Sequence, residues 1–172
     1  MKTLVIIAHP NMEVSRINKA WRTRLQQEKN ITVHELYANY PDGKIDVLHE
    51  QQLLEAHDRI VFQFPFHWYN APSLLKQWQD AVFAYGFSHG PNGNKLNGKQ
   101  FMLAISAGGQ KQSYQAGGAQ LYTISELTKT YQAMANFTGM KYLPSFVLYG
   151  THQLQDDEIQ DSANELSMKL SK

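Results

Sequence analysis

A chain of 172 residues can bury a core without disulfides or metals, and its length predicts a single domain over residues 1–172. Hydrophobic residues make up 42% and charged residues 18%, the balance of an ordinary globular protein. The net charge is +1 and no basic stretch is interleaved with aromatic residues, so we expect neither nucleic acid nor an anionic membrane as a partner. The lack of cysteine excludes disulfides, thiol redox centres and cysteine metal sites.

The first segment of the chain predicts a strand. Residues 3–8 read TLVIIA, a continuous apolar run rich in β-branched residues that is typical of a strand buried on both faces. A signal peptide needs a longer apolar region followed by a small-residue cleavage site. No apolar span of 18 residues follows anywhere in the sequence, and we therefore expect a cytoplasmic protein.

Helices and strands are predicted to alternate along the rest of the chain. Ile17, Trp21 and Leu25 recur every four residues, which predicts a helix within residues 13–28. The further predicted elements are a strand at 31–36, a helix around 48–56, a strand at 59–64, a helix at 72–83, a strand at 100–106, a helix from about 121 to 137, a strand at 142–149 and a helix at 156–172.

This alternation predicts an α/β fold, a three-layer sandwich with a parallel sheet and right-handed crossovers. Five strands favour the flavodoxin-like order 2-1-3-4-5. In such a sheet the ligand lies beyond the carboxyl ends of the strands, where the strand order reverses, here between strands 1 and 3. The loops after Ala8, Phe64 and Ser106 are therefore the candidates for function.

The first of these loops, HPNMEVSRIN over residues 9–18, leads into the start of a helix. Free backbone N–H groups and the helix dipole favour an anion there. Ser15 and Asn18 add short donors, and His9 or Arg16 can add positive charge, which together suggest a phosphate seat. The alternative is that Ser15 only caps a turn and His9 only ends a strand.

The second loop, FPFHWYNAP over residues 64–72, places four aromatic residues and a histidine between two prolines. A loop of this stiffness can present backbone groups to the edge of a planar ring, with Trp68 or Tyr69 beside it. The alternative is that these aromatic side chains fill the core or a subunit interface.

The third loop contains Gly108 and Gly109, which allow close approach of the backbone to a ligand, and Tyr114, which offers a hydroxyl. A simple turn and a packing tyrosine are the alternatives. The sequence has no GxGxxG after a strand, no GxxxxGK[ST] and no GxSxG, and its seven histidines show no metal-ligand spacing, so we expect no metal site.

Taken together, the loops resemble those of the flavodoxin-like NAD(P)H:quinone oxidoreductases, the DT-diaphorase family, and above all its bacterial general stress oxidoreductases and potassium-efflux ancillary subunits. The similarity covers nearly the whole chain. It is carried by AHP with Ser15 six residues after His9, by FPFHWYNAPSLLKQWQDAVFAYGF, by the Gly-Gly loop followed by Tyr, and by GMKYLPSFVLYG.

The resemblance implies a set of cofactor-binding residues and one catalytic residue. The segment of His9, Ser15, Arg16, Ile17 and Asn18 would bind the flavin phosphate; the loop of Phe66, His67, Trp68 and Tyr69 would contact the isoalloxazine ring; and the loop of Ser106, Ala107, Gly108, Gly109 and Gln110 would line its other side. Tyr114 resembles the catalytic-pocket tyrosine. The histidine that animal enzymes pair with this tyrosine is replaced by Gln120, which argues against a Tyr–His relay. Efflux-type relatives carry more glycine where this chain has Ala107 and Gln110, so ring-edge contacts are expected to differ.

The function that this resemblance implies is two-electron, ping-pong hydride transfer from NAD(P)H through FMN, with FAD as the alternative flavin, to a quinone-like acceptor. A homodimer is also implied. Alternatives are a regulatory flavin-binding subunit of a glutathione-gated potassium efflux antiporter in the membrane, a nitro- or azoreductase, and a one-electron flavodoxin. The last is disfavoured because flavodoxins are usually strongly acidic.

Overall fold

The computed structural model describes residues 1–171, so the predicted extension of the last helix to Lys172 lies outside the described residues. The described strands are β1 (Thr3–Ile7), β2 (Ile31–Glu35), β3 (Arg59–Pro65), β4 (Gln100–Ser106), β5 (Lys141–Tyr142) and β6 (Phe146–Leu148). The helices are α1 (Ile17–Leu25), α2 (Leu36–Asn39), α3 (Val47–Glu55), α4 (Ser73–Val82), α5 (Ile124–Leu127), α6 (Lys129–Phe137) and α7 (Asp156–Ser171).

All paired strands run parallel, in the order β2-β1-β3-β4-β5, which confirms the predicted topology. At the centre of the sheet Val5 lies between Val33 of β2 and Val61 of β3. The sheet also contains β6, which pairs with the last residues of β4, while β5 pairs with its first residues. The strand order reverses between β1 and β3, which is where a sheet of this kind is expected to have its ligand cleft.

The fifth strand differs from the prediction because it is broken. The single strand predicted over 142–149 is divided into β5 and β6, and Pro144 lies between them. Proline has no N–H to donate to the sheet and its φ angle is fixed, so the ladder stops there and resumes at Phe146.

Two predicted helices begin later than expected. The helix predicted within 13–28 starts at Ile17, and a 3-10 turn at Met12–Val14 precedes it. The helix predicted from about 121 starts at Ile124, because Thr123 and Glu126 form a reciprocal capping box at that point. The short helix α2 was not predicted at all.

Two apolar clusters cover the two faces of the sheet. On one face, Phe62 of β3 packs among the side chains of α3, α4, α5 and α6, with Trp78 at an edge-on ring distance of 5.6 Å. On the other face, Trp21 of α1 and Leu166 of α7 pack over β1. This is the predicted three-layer arrangement. Among residues 1–171, no helix is both long enough and apolar enough to cross a bilayer.

Candidate functional site

The three predicted loops meet in one cleft of about 570 Å³ at the carboxyl ends of β1, β3 and β4. This volume lies within the range of small-molecule sites, roughly 300–1,000 Å³. The cleft is lined by most of the predicted site residues, namely His9, Ser15, Arg16, Ile17, Asn18, Phe66, His67, Trp68, Tyr69, Ser106, Gly108, Gly109 and Tyr114. The structure adds Val14, Pro65, Gln120, Thr151 and His152 to this wall.

Two predicted residues of the third loop do not line the cleft. Ala107 is fully buried, and its backbone N–H donates to the carbonyl of Leu148 at 2.8 Å. The Gln110 amide donates to Gln153 Oε1 at 2.5 Å. The third loop therefore meets the cleft through its two glycines and through Ser106.

The first loop presents a helix start to the cleft. Ser15 Oγ accepts the backbone N–H of Asn18 at 3.1 Å, which is the bond that a helix-capping serine makes. The backbone N–H of Ile17, the first residue of α1, has no acceptor within the helix and remains available for an anion. Because Ser15 uses its oxygen as the acceptor, its hydroxyl hydrogen is also free to donate. The capping role and a phosphate-binding role are thus compatible.

The charge of Arg16 is balanced from another part of the chain. Its guanidinium donates to the Leu154 carbonyl at 3.1 Å and to Asp156 Oδ1 at 2.6 Å, at the start of α7. Arg16 therefore lines the cleft as one half of an ion pair rather than as a free cation.

His9 lines the cleft as an uncharged imidazole. Burial lowers the pKa of the His9 imidazole, and the nearby His67 lowers it further. His9 Nδ1 accepts the backbone N–H of Asn11 at 3.2 Å, which leaves Nε2 as the protonated nitrogen. Three histidines line the cleft, yet within residues 1–171 no group of three metal-binding side chains is close enough to hold an ion.

The second loop forms a tight turn that displays its aromatic side chains. His67 and Asn70 exchange two backbone hydrogen bonds of 2.9 Å, with Trp68 and Tyr69 between them. Both central residues have positive φ, 46° and 64°, as in a type I′ turn. For residues other than glycine this costs about 1–3 kcal/mol each, a strain that is concentrated at functional sites. Trp68 is 93% exposed, so it does not serve the core.

The two glycines of the third loop lie against the ends of neighbouring side chains, which would have to move if either glycine carried a Cβ. A Cβ on Gly108 would lie 2.8 Å from His152 Nε2, and one on Gly109 would lie 2.9 Å from Tyr114 Cε2. His152 was missed by the sequence reasoning. It follows β6, and the rule that ligands lie at the carboxyl ends of strands would have drawn attention to it had β6 been recognised as a separate strand.

Tyr114 is half-buried and offers a protonated hydroxyl. Its ring packs between Phe66 and Tyr149, at centroid distances of 6.4 Å and 5.7 Å. A tyrosine hydroxyl is ordinarily protonated at neutral pH, and burial raises the pKa of Tyr114 further above that range. Gln120 accepts the hydroxyl of Tyr69 at 2.7 Å and has no proton to exchange in the manner of a histidine.

Comparison with known proteins identifies the class of this chain. A family model described as a flavodoxin-like fold matches residues 1–170, and the chain belongs to that family. It is 57% identical over 164 residues to a Bacillus subtilis (strain 168) protein named uncharacterized NAD(P)H oxidoreductase YdeQ, covering 95% of this chain and 83% of that protein. The resemblance to NAD(P)H oxidoreductases is thereby confirmed.

Other relatives extend this group. The ancillary protein KefG of the glutathione-regulated potassium-efflux system of Pectobacterium atrosepticum is 39% identical over 170 residues, 99% of this chain and 93% of that protein. A structure of general stress protein 14 in complex with FMN from Treponema denticola has a TM-score of 0.96 at 41% identity, covering 99% and 98% of the two chains. An NADPH-quinone reductase from P. pentosaceus has a TM-score of 0.90 at 36% identity, covering 98% and 97%.

Proposed function

We propose that this protein is an FMN-dependent NAD(P)H oxidoreductase that reduces quinones or similar flat acceptors. The observation that carries the proposal is the meeting of a capped helix start, a strained aromatic turn and a Gly-Gly loop in one cleft. The FMN complex of the 41% identical Treponema protein supports the cofactor. The names of YdeQ and the P. pentosaceus reductase support the electron donor and the class of acceptor.

The residues of the cleft fit the chemistry of FMN. A phosphate needs converging N–H and O–H donors, and the first turn of α1 with the Ser15 hydroxyl supplies them. A planar ring needs flat, open walls, which the turn at residues 66–69 and the Gly108–Gly109 backbone provide. In this assignment Ser15, Ile17 and Asn18 lie at the phosphate, and Phe66 and Gly109 lie at the ring.

When bound, FMN would supply the capacity to take a hydride from NAD(P)H and to pass two electrons to an acceptor. The chain itself orients both substrates. The Tyr114 hydroxyl, which is protonated at neutral pH, would donate a hydrogen bond to the nicotinamide carboxamide or to an oxygen of the acceptor. NAD(P)H and the acceptor would occupy this part of the cleft in turn, which gives ping-pong kinetics.

The decisive experiment is spectroscopic. We expect the purified protein to be yellow, with the visible absorbance of an oxidised flavin, and to release FMN rather than FAD on denaturation and chromatography. Steady-state rates at varied NAD(P)H and quinone should give parallel double-reciprocal lines. A colourless protein that binds neither flavin would overturn the proposal, and intersecting lines would overturn the ping-pong order.

A second candidate function is regulation of a membrane potassium-efflux protein, favoured by the 39% identity to KefG. Co-expression with such a transporter tests it: a regulatory role predicts increased potassium efflux, and unchanged efflux would contradict it. We also propose a homodimer, supported by the exposure of Trp68 beside the cleft. Nitro and azo compounds should be tested as acceptors alongside quinones, since the same hydride chemistry would reduce them.

A further inference from the structure

A chain of buried polar side chains lies beneath the cleft. Gln63 is fully buried in β3, a strand whose neighbouring residues Phe62 and Phe64 are apolar and also fully buried. Gln63 Nε2 lies 3.2 Å from both the backbone carbonyl and the side-chain Oδ1 of Asn18. Asn18 Nδ2 in turn donates to Ser106 Oγ at 2.9 Å.

The donors and acceptors among Gln63, Asn18 and Ser106 can be assigned without ambiguity. Because the Gln63 amide donates, Asn18 Oδ1 is the acceptor and Asn18 Nδ2 is left as the donor. Ser106 Oγ therefore accepts from Asn18, and the single hydroxyl hydrogen of Ser106 is left for another partner. Ser106 lines the cleft, so this hydrogen is available to a ligand.

The same three residues join the three loops of the cleft. Asn18 lies in the first turn of α1, and Gln63 lies in β3 just ahead of the aromatic turn. Ser106 ends β4, and its carbonyl accepts the backbone N–H of Phe66 at 2.9 Å. A change in the orientation of Asn18 would therefore reach the phosphate side and the ring side of the cleft together.

Stability of the strand does not explain a glutamine at this position. Gln63 Oε1 is buried and has no hydrogen-bond partner within the described residues. An unpartnered buried polar atom disfavours folding, and an apolar side chain would avoid it. Residues that break a local rule in this way are expected where the function of a site requires them.

We propose that Gln63 is a positioning residue of the cleft, which fixes Asn18 so that Ser106 presents its hydroxyl as a hydrogen-bond donor to the bound flavin. This inference rests on the proposed FMN-dependent function. Gln63 does not line the cleft, so it acts through Asn18 and Ser106.

The first test replaces Gln63 by methionine, which has a similar size and cannot donate. We expect the dissociation constant of FMN, measured on the apoprotein by quenching of flavin fluorescence, to rise about tenfold, or about 1.4 kcal/mol. The urea midpoint of the apoprotein should change little, because methionine removes the unpartnered Gln63 Oε1 but also leaves Asn18 Oδ1 without its donor. Gln51→Met is the matched control, because Gln51 donates to the Val82 carbonyl at 3.0 Å and does not line the cleft. Its FMN affinity should be that of the wild type.

The second test asks whether Gln63 acts through Ser106. Ser106→Ala should also raise the dissociation constant about tenfold, and adding Gln63→Met to it should change the constant less than twofold further. Multiplying effects in the double variant, or an unchanged affinity in Ser106→Ala, would overturn the inference even if Gln63→Met did not fold. Wild-type protein that binds no FMN would instead contradict the proposed function itself.

Discussion

The phosphate seat can be tested by replacing Ser15 with aspartate. Ser15 caps α1 by accepting the N–H of Asn18, and aspartate caps a helix about as well as serine. The variant should therefore keep the helix start and the stability of the protein. It replaces a hydroxyl donor by a carboxylate that cannot donate and that carries the same sign of charge as a phosphate. The variant should therefore bind FMN more weakly while its free energy of unfolding stays unchanged.

The expected loss of affinity has two contributions. A hydrogen bond to a charged group contributes about 1.5–3 kcal/mol, and the Ser15 hydroxyl would no longer supply it. Two like charges about 4 Å apart repel by roughly 1 kcal/mol in water and roughly 4 kcal/mol at the surface of a protein. The total is at least about 2.5 kcal/mol, so the dissociation constant of FMN should rise on the order of 100-fold or more.

The assay is titration of apoprotein with FMN, followed by flavin fluorescence, with urea unfolding measured in parallel. Ser73→Asp is the matched control, because Ser73 is an exposed serine in the first turn of α4 and does not line the cleft. Its FMN affinity should be unchanged. A Ser15→Asp protein that is purified with full flavin occupancy and binds FMN within twofold of the wild type would refute the phosphate seat.

Three further predictions address other residues. Tyr114→Phe should lower turnover about tenfold with several quinones and leave FMN affinity unchanged, since about 1.4 kcal/mol is lost with one hydrogen bond; equal rates would remove Tyr114 from the mechanism. Gly108→Ala places a carbon 2.8 Å from His152 Nε2 and should weaken FMN binding, and His152→Ala should restore it in the double variant; no restoration would contradict the steric explanation. Burial would raise the pKa of Glu50, but hydrogen bonds from His34, Tyr40 and Trp78 lower it below its ordinary 4.5. Glu50→Gln should therefore cost about 1–3 kcal/mol in urea unfolding at pH 7, and this difference should shrink below pH 4.5; a constant difference would contradict the charged state.

Much of the fold could be predicted because the central strands are nearly continuous apolar runs. The prediction of β4 at 100–106 is confirmed residue for residue, since its burial is a property of the local sequence. The break between β5 and β6 depends on Pro144, a single residue inside a run that otherwise has the composition of one strand. The start of α5 at Ile124 is set by the capping box of Thr123 and Glu126, because helix propensity alone does not distinguish Ile124 from the residues just before it.

The location of the cleft was predictable from the sequence for a similar reason, whereas the charge state of the residues that line it was not. Strand order alone identifies three loops, and these loops do form one cleft. The partner of Arg16, by contrast, is Asp156, 140 residues away, and no local pattern links them. His152 and Gly108 are also distant in sequence, and no local pattern predicts that they lie side by side. The one local signal for Gln63 was a polar residue inside an apolar strand.

Most hydrogen-bond donors in the cleft are uncharged, so ligand binding there depends on how accurately the donors are oriented. Arg16 is paired with Asp156 in an exposed ion pair, burial lowers the pKa of His9, and the Tyr114 hydroxyl is protonated at neutral pH, so both rings are uncharged there. A neutral hydrogen bond weakens steeply when its angle is poor, whereas the attraction between charges tolerates such errors. A site built from neutral donors therefore depends on the residues that orient them. For this reason the buried Gln63, which touches no ligand, is expected to affect flavin binding as strongly as Ser106, which lies in the wall of the cleft.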